Sequence, residues 1–111
     1  MNIFFNNEFD FKNQESVNSF LGPHSIEHSS INKTIASIYN TSIMSIPLFD
    51  FGDYESWFMY HDMVHRQIFN VIGVGNAPSL NIININDKIA VDEWQQTHQD
   101  MHVQISRILG V

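Results

Sequence analysis

The residues of this chain best suited to chemistry are its histidines. All six fall into His-x-x-x-His pairs, namely His24/His28, His61/His65 and His98/His102. The pairs recur with one period, since 61 − 24 and 98 − 61 both equal 37, which indicates an internal repeat. Histidines four residues apart lie on one face of a helix, and neutral imidazole binds zinc, nickel, copper and ferrous iron. The spacing therefore predicts a repeated helix that carries two candidate metal ligands in each copy.

The repeat extends on both sides of each histidine pair. An aromatic residue stands four positions before the first histidine, as Phe20, Trp57 and Trp94. An isoleucine stands three positions after the second histidine, as Ile31, Ile68 and Ile105. These steps of three and four keep the side chains on one helical face, so we expect the aromatic residues, histidines and isoleucines to form a structural core.

The ends of the helices are also repeated. Residues that favour helix starts stand 37 apart, as Asn13, Asp50 and Asp87. Small residues that favour helix ends follow each apolar stripe, as Ala36, Gly73 and Gly110. We therefore predict helices near 14–38, 52–73 and 89–109. Pro23 offers an alternative for the first copy, a short helix over 14–21 that ends at Gly22 and a second that begins at Pro23.

The segments before the helices carry alternating apolar pairs, Phe9 and Phe11, Ile46 and Leu48, Ile83 and Ile85. This alternation predicts extended segments with one buried face, although Pro47 weakens the second. The 14 residues from 36 to 50, or from 73 to 87, are enough for an extended return along a helix of about 30 Å. This length favours parallel helices over an up-down-up bundle, which stays open as the alternative.

The predicted fold is an all-α, pseudo-threefold three-helix bundle with short extended connections. It forms one domain over 1–111, built from units 1–37, 38–74 and 75–111. If the helices are parallel, His24, His61 and His98 form one layer. His28, His65 and His102 then form a second layer about 6 Å further along the axis.

Composition excludes several classes of protein. A hydrophobic content of 43% with nine Phe and two Trp argues against disorder. A net charge of −7 with five scattered basic residues argues against direct nucleic-acid binding. No apolar run is long enough for a membrane span, the first residues lack the basic start of a signal peptide, and the absence of cysteine removes thiolate ligands.

Two interpretations of the histidines remain open. They could bind a transition metal, zinc or iron, or they could be neutral, hydrogen-bonded residues that fix the register of the bundle without a cofactor. The carboxylates nearest the pairs, Asp62 and Asp100, occupy non-equivalent positions, and no copy has the His-Glu-x-x-His order of a zinc protease. We therefore predict no catalytic residue and no enzyme activity.

The segments Glu55-Ser-Trp57-x3-His61-x3-His65 and Glu93-Trp94-x3-His98-x3-His102 resemble small, repeat-containing proteins of tailed bacteriophages. The first copy departs from this pattern, because it has Phe20 in place of tryptophan. The resemblance implies a non-enzymatic structural component of the virion, in the neck, tail or capsid, that is assembled in the host cytoplasm. Its partners would be other virion proteins and copies of itself, contacted through the extended segments and the N-terminal arm. The alternatives are a small histidine-ligated metalloprotein or metalloenzyme, and a phage protein that binds a host protein through its acidic surface.

Overall fold

Three long helices make up most of the chain in a computed structural model that describes residues 9–111. They are α1 (Gln14–Tyr39), α2 (Tyr54–Ile72) and α3 (Lys88–Leu109). The all-α prediction is confirmed, and the predicted helix bounds agree with the observed ones to within two residues. Residues 9–111 contain no β-strand, so the connections are extended without a sheet. The N-terminal arm, predicted to contact other subunits, falls within 1–8 and lies outside the described residues.

Each helix begins at an acidic or amide side chain that accepts a backbone N–H from the first turn. Asn13 accepts from Ser16 at 3.0 Å, and Asp87 accepts from the first turn of α3, as the repeat predicts. The prediction that Asp50 caps α2 is wrong, because the cap is Asp53, which accepts the N–H and the Oγ–H of Ser56. Asp50 instead accepts the N–H of Gly52 at 2.8 Å in the preceding turn. Glycine is a poor helix residue, so the helix starts beyond it.

The helix ends follow the predicted glycines in two copies. Gly73 and Gly110 adopt left-handed conformations with φ of 76° in both cases and end α2 and α3. In the first copy, α1 continues past Ala36 and ends at Asn40, which also has a left-handed φ of 54°. Asparagine tolerates this conformation better than most other residues, which explains why it can take the place of glycine.

Pro23 does not break the first helix, so the alternative of two separate helices is wrong. The helix runs without interruption from Gln14 to Tyr39 and contains Pro23 in its interior. Proline removes one intrahelical hydrogen bond, but Gly22 and Pro23 lie on the exposed side of the helix. The opposite side stays buried at Phe20 and His24, with 4% and 1% exposure, and this burial offsets the lost hydrogen bond.

The three helices run parallel, which excludes the up-down-up alternative. The ring centroids of His24, His61 and His98 form a triangle with sides of 5.0, 4.9 and 4.8 Å. The second histidine of each pair joins another triangle, with sides of 5.0, 4.8 and 4.8 Å. An antiparallel α2 would place its second histidine level with the first histidine of α1. The nearly equal sides also show the pseudo-threefold symmetry directly.

The core is a stack of such threefold layers along the bundle axis. Phe20, Trp57 and Trp94 lie on one side of the histidines with at most 4% exposure. Ile31, Ile68 and Ile105 lie on the other side and are fully buried. The histidine layers are therefore enclosed at both ends by large apolar side chains, which exclude water from the axis.

The three copies differ at the end of the bundle that carries Phe20, Trp57 and Trp94. The fully buried Phe11 contacts Trp57 and Trp94 at centroid distances of 6.3 and 5.2 Å. Phe11 occupies this point, whereas Leu48, its counterpart in the second copy, is 94% exposed. The prediction that Leu48 faces the core is therefore wrong, and Phe49 packs against Trp57 and Phe11 in its place. In the third copy, Ile83 and Ile85 are partly buried against the core.

Within the described residues, none of the helices has the length and apolar character needed to cross a membrane.

Candidate functional site, a buried histidine cluster

The structure brings all six predicted histidines together in one buried cluster. None of their side chains is more than 3% exposed. We call His24, His61 and His98 the upper layer, and His28, His65 and His102 the lower layer. Each helix contributes one imidazole to each layer, because four residues make slightly more than one helical turn.

The aromatic residue of each copy holds the upper-layer imidazole in place. Phe20 stacks on His24 with centroids 4.8 Å apart and planes 22° apart. The tryptophans do the same, Trp57 on His61 at 4.5 Å and 15°, and Trp94 on His98 at 4.9 Å and 12°. These i, i+4 stacks restrict the tilt of the rings, and they recur because the spacing recurs.

The two layers are closer together than the helical rise predicts. Four residues rise about 6 Å along a helix, but the two ring centroids of a pair are only 4.4–4.5 Å apart. The expected separation was therefore too large, because the rings of the two layers lean toward each other instead of projecting straight from the backbone. This tilt brings the six rings around one central point.

The lower layer is rotated relative to the upper layer. His28 lies near His24 of its own helix and also 6.0 Å from His61 of the next helix. In the same direction around the axis, the ring centroid of His65 is 4.9 Å from that of His98, and that of His102 is 5.5 Å from that of His24. Each lower ring thus lies under the gap between two upper rings. Two staggered triangles of this kind are the corners of an octahedron.

Three short contacts join the Nε2 atoms of different rings. His24 Nε2 is 3.1 Å from both His98 Nε2 and His61 Nε2. His98 Nε2 is also 3.1 Å from His102 Nε2. An imidazole nitrogen makes one hydrogen bond in the ring plane, either as donor or as acceptor. The chain of contacts from His61 through His24 and His98 to His102 can therefore contain at most two hydrogen bonds, so hydrogen bonding among the rings does not account for all three.

Two lower-layer histidines lack polar partners altogether among the described residues. Within 9–111, neither ring nitrogen of His28 or of His65 has a hydrogen-bond partner. Each buried polar atom left in this state costs about 1–3 kcal/mol. A bound ion would take up one nitrogen of each of these two rings, whereas neutral hydrogen-bonded histidines, the alternative to a metal site, find no partner for either nitrogen within 9–111.

Burial keeps the imidazoles neutral. Desolvation lowers the pKa of His28 from 6.5 to about 3. It also lowers the pKa of the other five histidines well below 6.5, and nearby imidazoles lower these pKa values further. A charged imidazole would repel its neighbours in a dry interior. Each ring therefore carries a lone pair that can bind a metal ion.

The nitrogens are close enough to share one ion. His24, His28, His65, His98 and His102 each offer a ring nitrogen, and these five atoms lie within 4.8 Å of one another. His61 lies outside this set of five, but its Nε2 is 3.1 Å from that of His24. The six predicted ligands therefore lie around the same small volume, and the ligand nitrogens of five of them are within 4.8 Å of one another.

The nearby carboxylates do not join the cluster. Asp62 is buried, but its Oδ2 accepts a hydrogen bond from Arg66 Nε at 2.8 Å, and its Oδ1 accepts one from Leu80 N at 2.7 Å. It thereby anchors the connection between α2 and α3. Asp100 is exposed and accepts from Gln96. The sequence carries no signal for the role of Asp62, because its partner Leu80 is 18 residues away and the equivalent positions in the other copies, Ser25 and Gln99, are not carboxylates.

No protein-family model matches the chain, and neither a curated protein nor a solved structure matches it.

Proposed function

We propose that this chain is a non-enzymatic structural protein whose histidine cluster binds one transition metal ion. The observation that carries the proposal is the cluster of six buried, neutral imidazoles, two from each helix, around the bundle axis, in which the nitrogens of five lie within 4.8 Å of one another. An ion at that point joins α1, α2 and α3 through six side chains. Metal binding then contributes directly to folding, because the unfolded chain has no preformed site.

The residues around the cluster support a structural role. The stacked Phe20, Trp57 and Trp94 orient the imidazoles, and the isoleucine layer on the other side seals the site. Among residues 9–111, Asp62 is the one buried carboxylate, and its bonds to Arg66 and Leu80 leave it poorly placed to act as a general base. An ion enclosed by buried ligands has no open position for a substrate, in contrast to catalytic zinc sites.

Metal analysis tests this proposal directly. The protein should be purified without a polyhistidine tag or a nickel column and examined by inductively coupled plasma mass spectrometry. We expect one transition metal ion per chain. Depletion with a chelator should lower the melting temperature, and the added ion should restore it. At a free-ion concentration of about 100 times Kd, one ion stabilises the folded state by about 2.7 kcal/mol.

A matched variant separates ligand loss from packing loss. His65→Phe removes a ligand from a fully buried position, whereas Ile68→Val trims a fully buried neighbour by one methyl group and keeps all six histidines. We expect the metal-induced rise in melting temperature to be strongly reduced in His65→Phe and retained in Ile68→Val. If wild-type protein contains no stoichiometric metal and gains no stability from any added ion, the proposal is wrong.

For the biological setting, we propose a multi-copy structural component of a bacteriophage virion. Its support is the resemblance of the repeated Trp-x3-His-x3-His units to small phage proteins. Contacts with other virion proteins would also cover exposed apolar side chains such as Ile26 and Leu48, which are 72% and 94% exposed. Mass spectrometry of purified particles should detect the chain in fixed stoichiometry with known structural proteins. Absence from particles, together with capture of one bacterial protein from infected cells, would favour the host-binding alternative.

A further inference from the structure

We infer that the ion is bound by six imidazole nitrogens in octahedral geometry, and that it belongs to the class of iron(II), cobalt(II) and nickel(II) rather than zinc. This inference rests on the proposed function and specifies the ligand of that site. It follows from the arrangement of the rings, the spacing of their nitrogens and the chemistry of the donor set.

The spacing of the Nε2 atoms fits six ligands better than four. In an octahedron, neighbouring donors are separated by √2 times the metal–ligand distance. The observed separation of 3.1 Å therefore corresponds to a metal–nitrogen distance of about 2.2 Å. A tetrahedral zinc site with bonds of about 2.0–2.1 Å separates its nitrogens by about 3.3–3.4 Å. The rings are thus packed more closely than a four-coordinate site requires.

The separation across the cluster agrees with the same bond length. Opposite donors in an octahedron are separated by twice the bond length, here about 4.4 Å. That value lies within the 4.8 Å that encloses the nitrogens of five histidines. The staggering places His24 opposite His65, and His28 opposite His98. His61 is left for the sixth position, opposite His102; its nitrogen lies outside the set of five, so its ring must move toward the axis when it binds the ion.

The donor set excludes most other ions. Magnesium and calcium require oxygen ligands, copper(I) prefers sulfur, and copper(II) prefers a tetragonal site. Structural zinc is almost always four-coordinate, so two of the six histidines would remain buried without a ligand role. Iron(II), cobalt(II) and nickel(II) accept imidazole in six-coordinate sites.

The charge of the site favours the divalent state of the ion. All six ligands are imidazoles, which bind a metal ion as neutral donors, and Asp62 already pairs with Arg66. The ligands therefore do not compensate the charge of the ion. The cost of burying an ion rises with its charge, so iron in this site should remain ferrous in air longer than iron bound by carboxylates.

X-ray absorption spectroscopy distinguishes the two geometries. Metal-depleted, tag-free protein should be loaded separately with iron(II) under anaerobic conditions, cobalt(II), nickel(II) and zinc. For iron, cobalt and nickel, we expect six nitrogen neighbours at about 2.2 Å, the distance that follows from the 3.1 Å spacing. Cobalt(II) should show the weak visible absorption of six-coordinate cobalt rather than the intense bands of the tetrahedral ion. In direct competition, nickel should displace zinc.

A variant of the sixth ligand tests whether all six histidines bind. His61→Ala removes the imidazole that lies outside the closest set of five, and Ile68→Val again serves as the packing control. We expect His61→Ala to bind nickel at least about tenfold more weakly, the lower bound seen when even an outer-shell partner is lost. Its absorption spectrum should show five nitrogen neighbours and one oxygen from water, whereas Ile68→Val should keep six nitrogens.

The outcomes separate this inference from the proposed function. Six nitrogen neighbours in wild-type protein support both. Four nitrogens at about 2.0–2.1 Å with tighter binding of zinc would overturn the octahedral inference and leave a structural metal site in place. Absence of stoichiometric binding by every ion would overturn both. The spectrum of the wild-type protein decides the matter even if His61→Ala does not fold.

Discussion

Acid should unfold the metal-free protein over a narrow pH range. The six histidines are neutral in the folded state because burial lowers their pKa values, to about 3 for His28. In the unfolded chain the same groups titrate near their ordinary value of 6.5. The unfolded state therefore binds more protons below pH 6.5. The stability that neutral histidines allow is fully present above this pH, and it is lost progressively as the pH falls toward the folded pKa values.

The size of the effect follows from the number of buried histidines. At one pH unit below the unfolded pKa, each histidine favours the unfolded state by about 1.4 kcal/mol. His28, with a folded pKa of about 3, therefore destabilises the folded state by about 1.4 kcal/mol at pH 5.5 relative to pH 7.5, and the other five histidines, whose pKa values are also lowered by burial, add to this loss in the same direction. A domain of this size has a total stability of about 5–15 kcal/mol. We therefore expect the metal-free protein to lose most of its stability, or to unfold, between pH 6.5 and 5.

The assay is urea unfolding of chelator-treated, tag-free protein at pH 7.5, 6.5 and 5.5, followed by circular dichroism. His28→Leu, which removes one titrating group, should reduce the loss between pH 7.5 and 5.5 by about 1.4 kcal/mol. Ile68→Val, which removes none, should lower stability equally at each pH. A bound metal should make the loss of stability at low pH steeper, since protons compete for the same nitrogens.

A free energy of unfolding that stays flat between pH 7.5 and 5 would refute the reasoning. That result would mean that the imidazoles keep their ordinary pKa in the folded state, which requires water or acidic partners around the rings. An unchanged pH dependence in His28→Leu would have the same meaning for this side chain alone.

Three further predictions concern the frame around the cluster and are tested by chemical unfolding at pH 7.5. Trp94→Phe should destabilise the protein by about 1 kcal/mol more than Trp57→Phe. The reason is that Trp94 Nε1 donates to a backbone carbonyl at 3.3 Å, whereas Trp57 Nε1 has no hydrogen-bond partner among residues 9–111. Equal losses of stability would contradict this difference. Asp62→Ala should lower the free energy of unfolding by about 1–3 kcal/mol, since it leaves the buried backbone N–H of Leu80 unpaired. A loss within about 0.5 kcal/mol, the range of ordinary surface substitutions, would count against the anchoring role of Asp62. Gly73→Ala should destabilise the protein by about 1–2 kcal/mol, because its φ of +76° lies in the left-handed region that alanine rarely adopts; an unchanged free energy of unfolding would show that the end of α2 does not depend on this backbone conformation.

The repeat by itself determined the local structure and the inward face of each helix. The helices, the stacking partners of the histidines and the two layers follow from steps of three and four residues. These features are predictable because each depends on residues within a few turns of one another. The parallel direction was favoured by the length of the connections but not settled by it, and ring positions from all three helices were needed to decide it.

Only the tertiary structure decided the features in which equivalent residues of the three copies have different surroundings. Phe11 packs against Trp57 and Trp94 and is buried, whereas Leu48 is exposed, although the repeat treats the two positions alike. Asp62 finds Leu80 because the chain returns past α2, a contact that no periodic pattern encodes. The convergence of the six rings depends on side-chain tilt and on the rotation between layers, which sequence spacing does not specify. The sequence therefore identified which residues form the cluster, and the packing of three helices around one axis decided that their nitrogens can meet at a single ion.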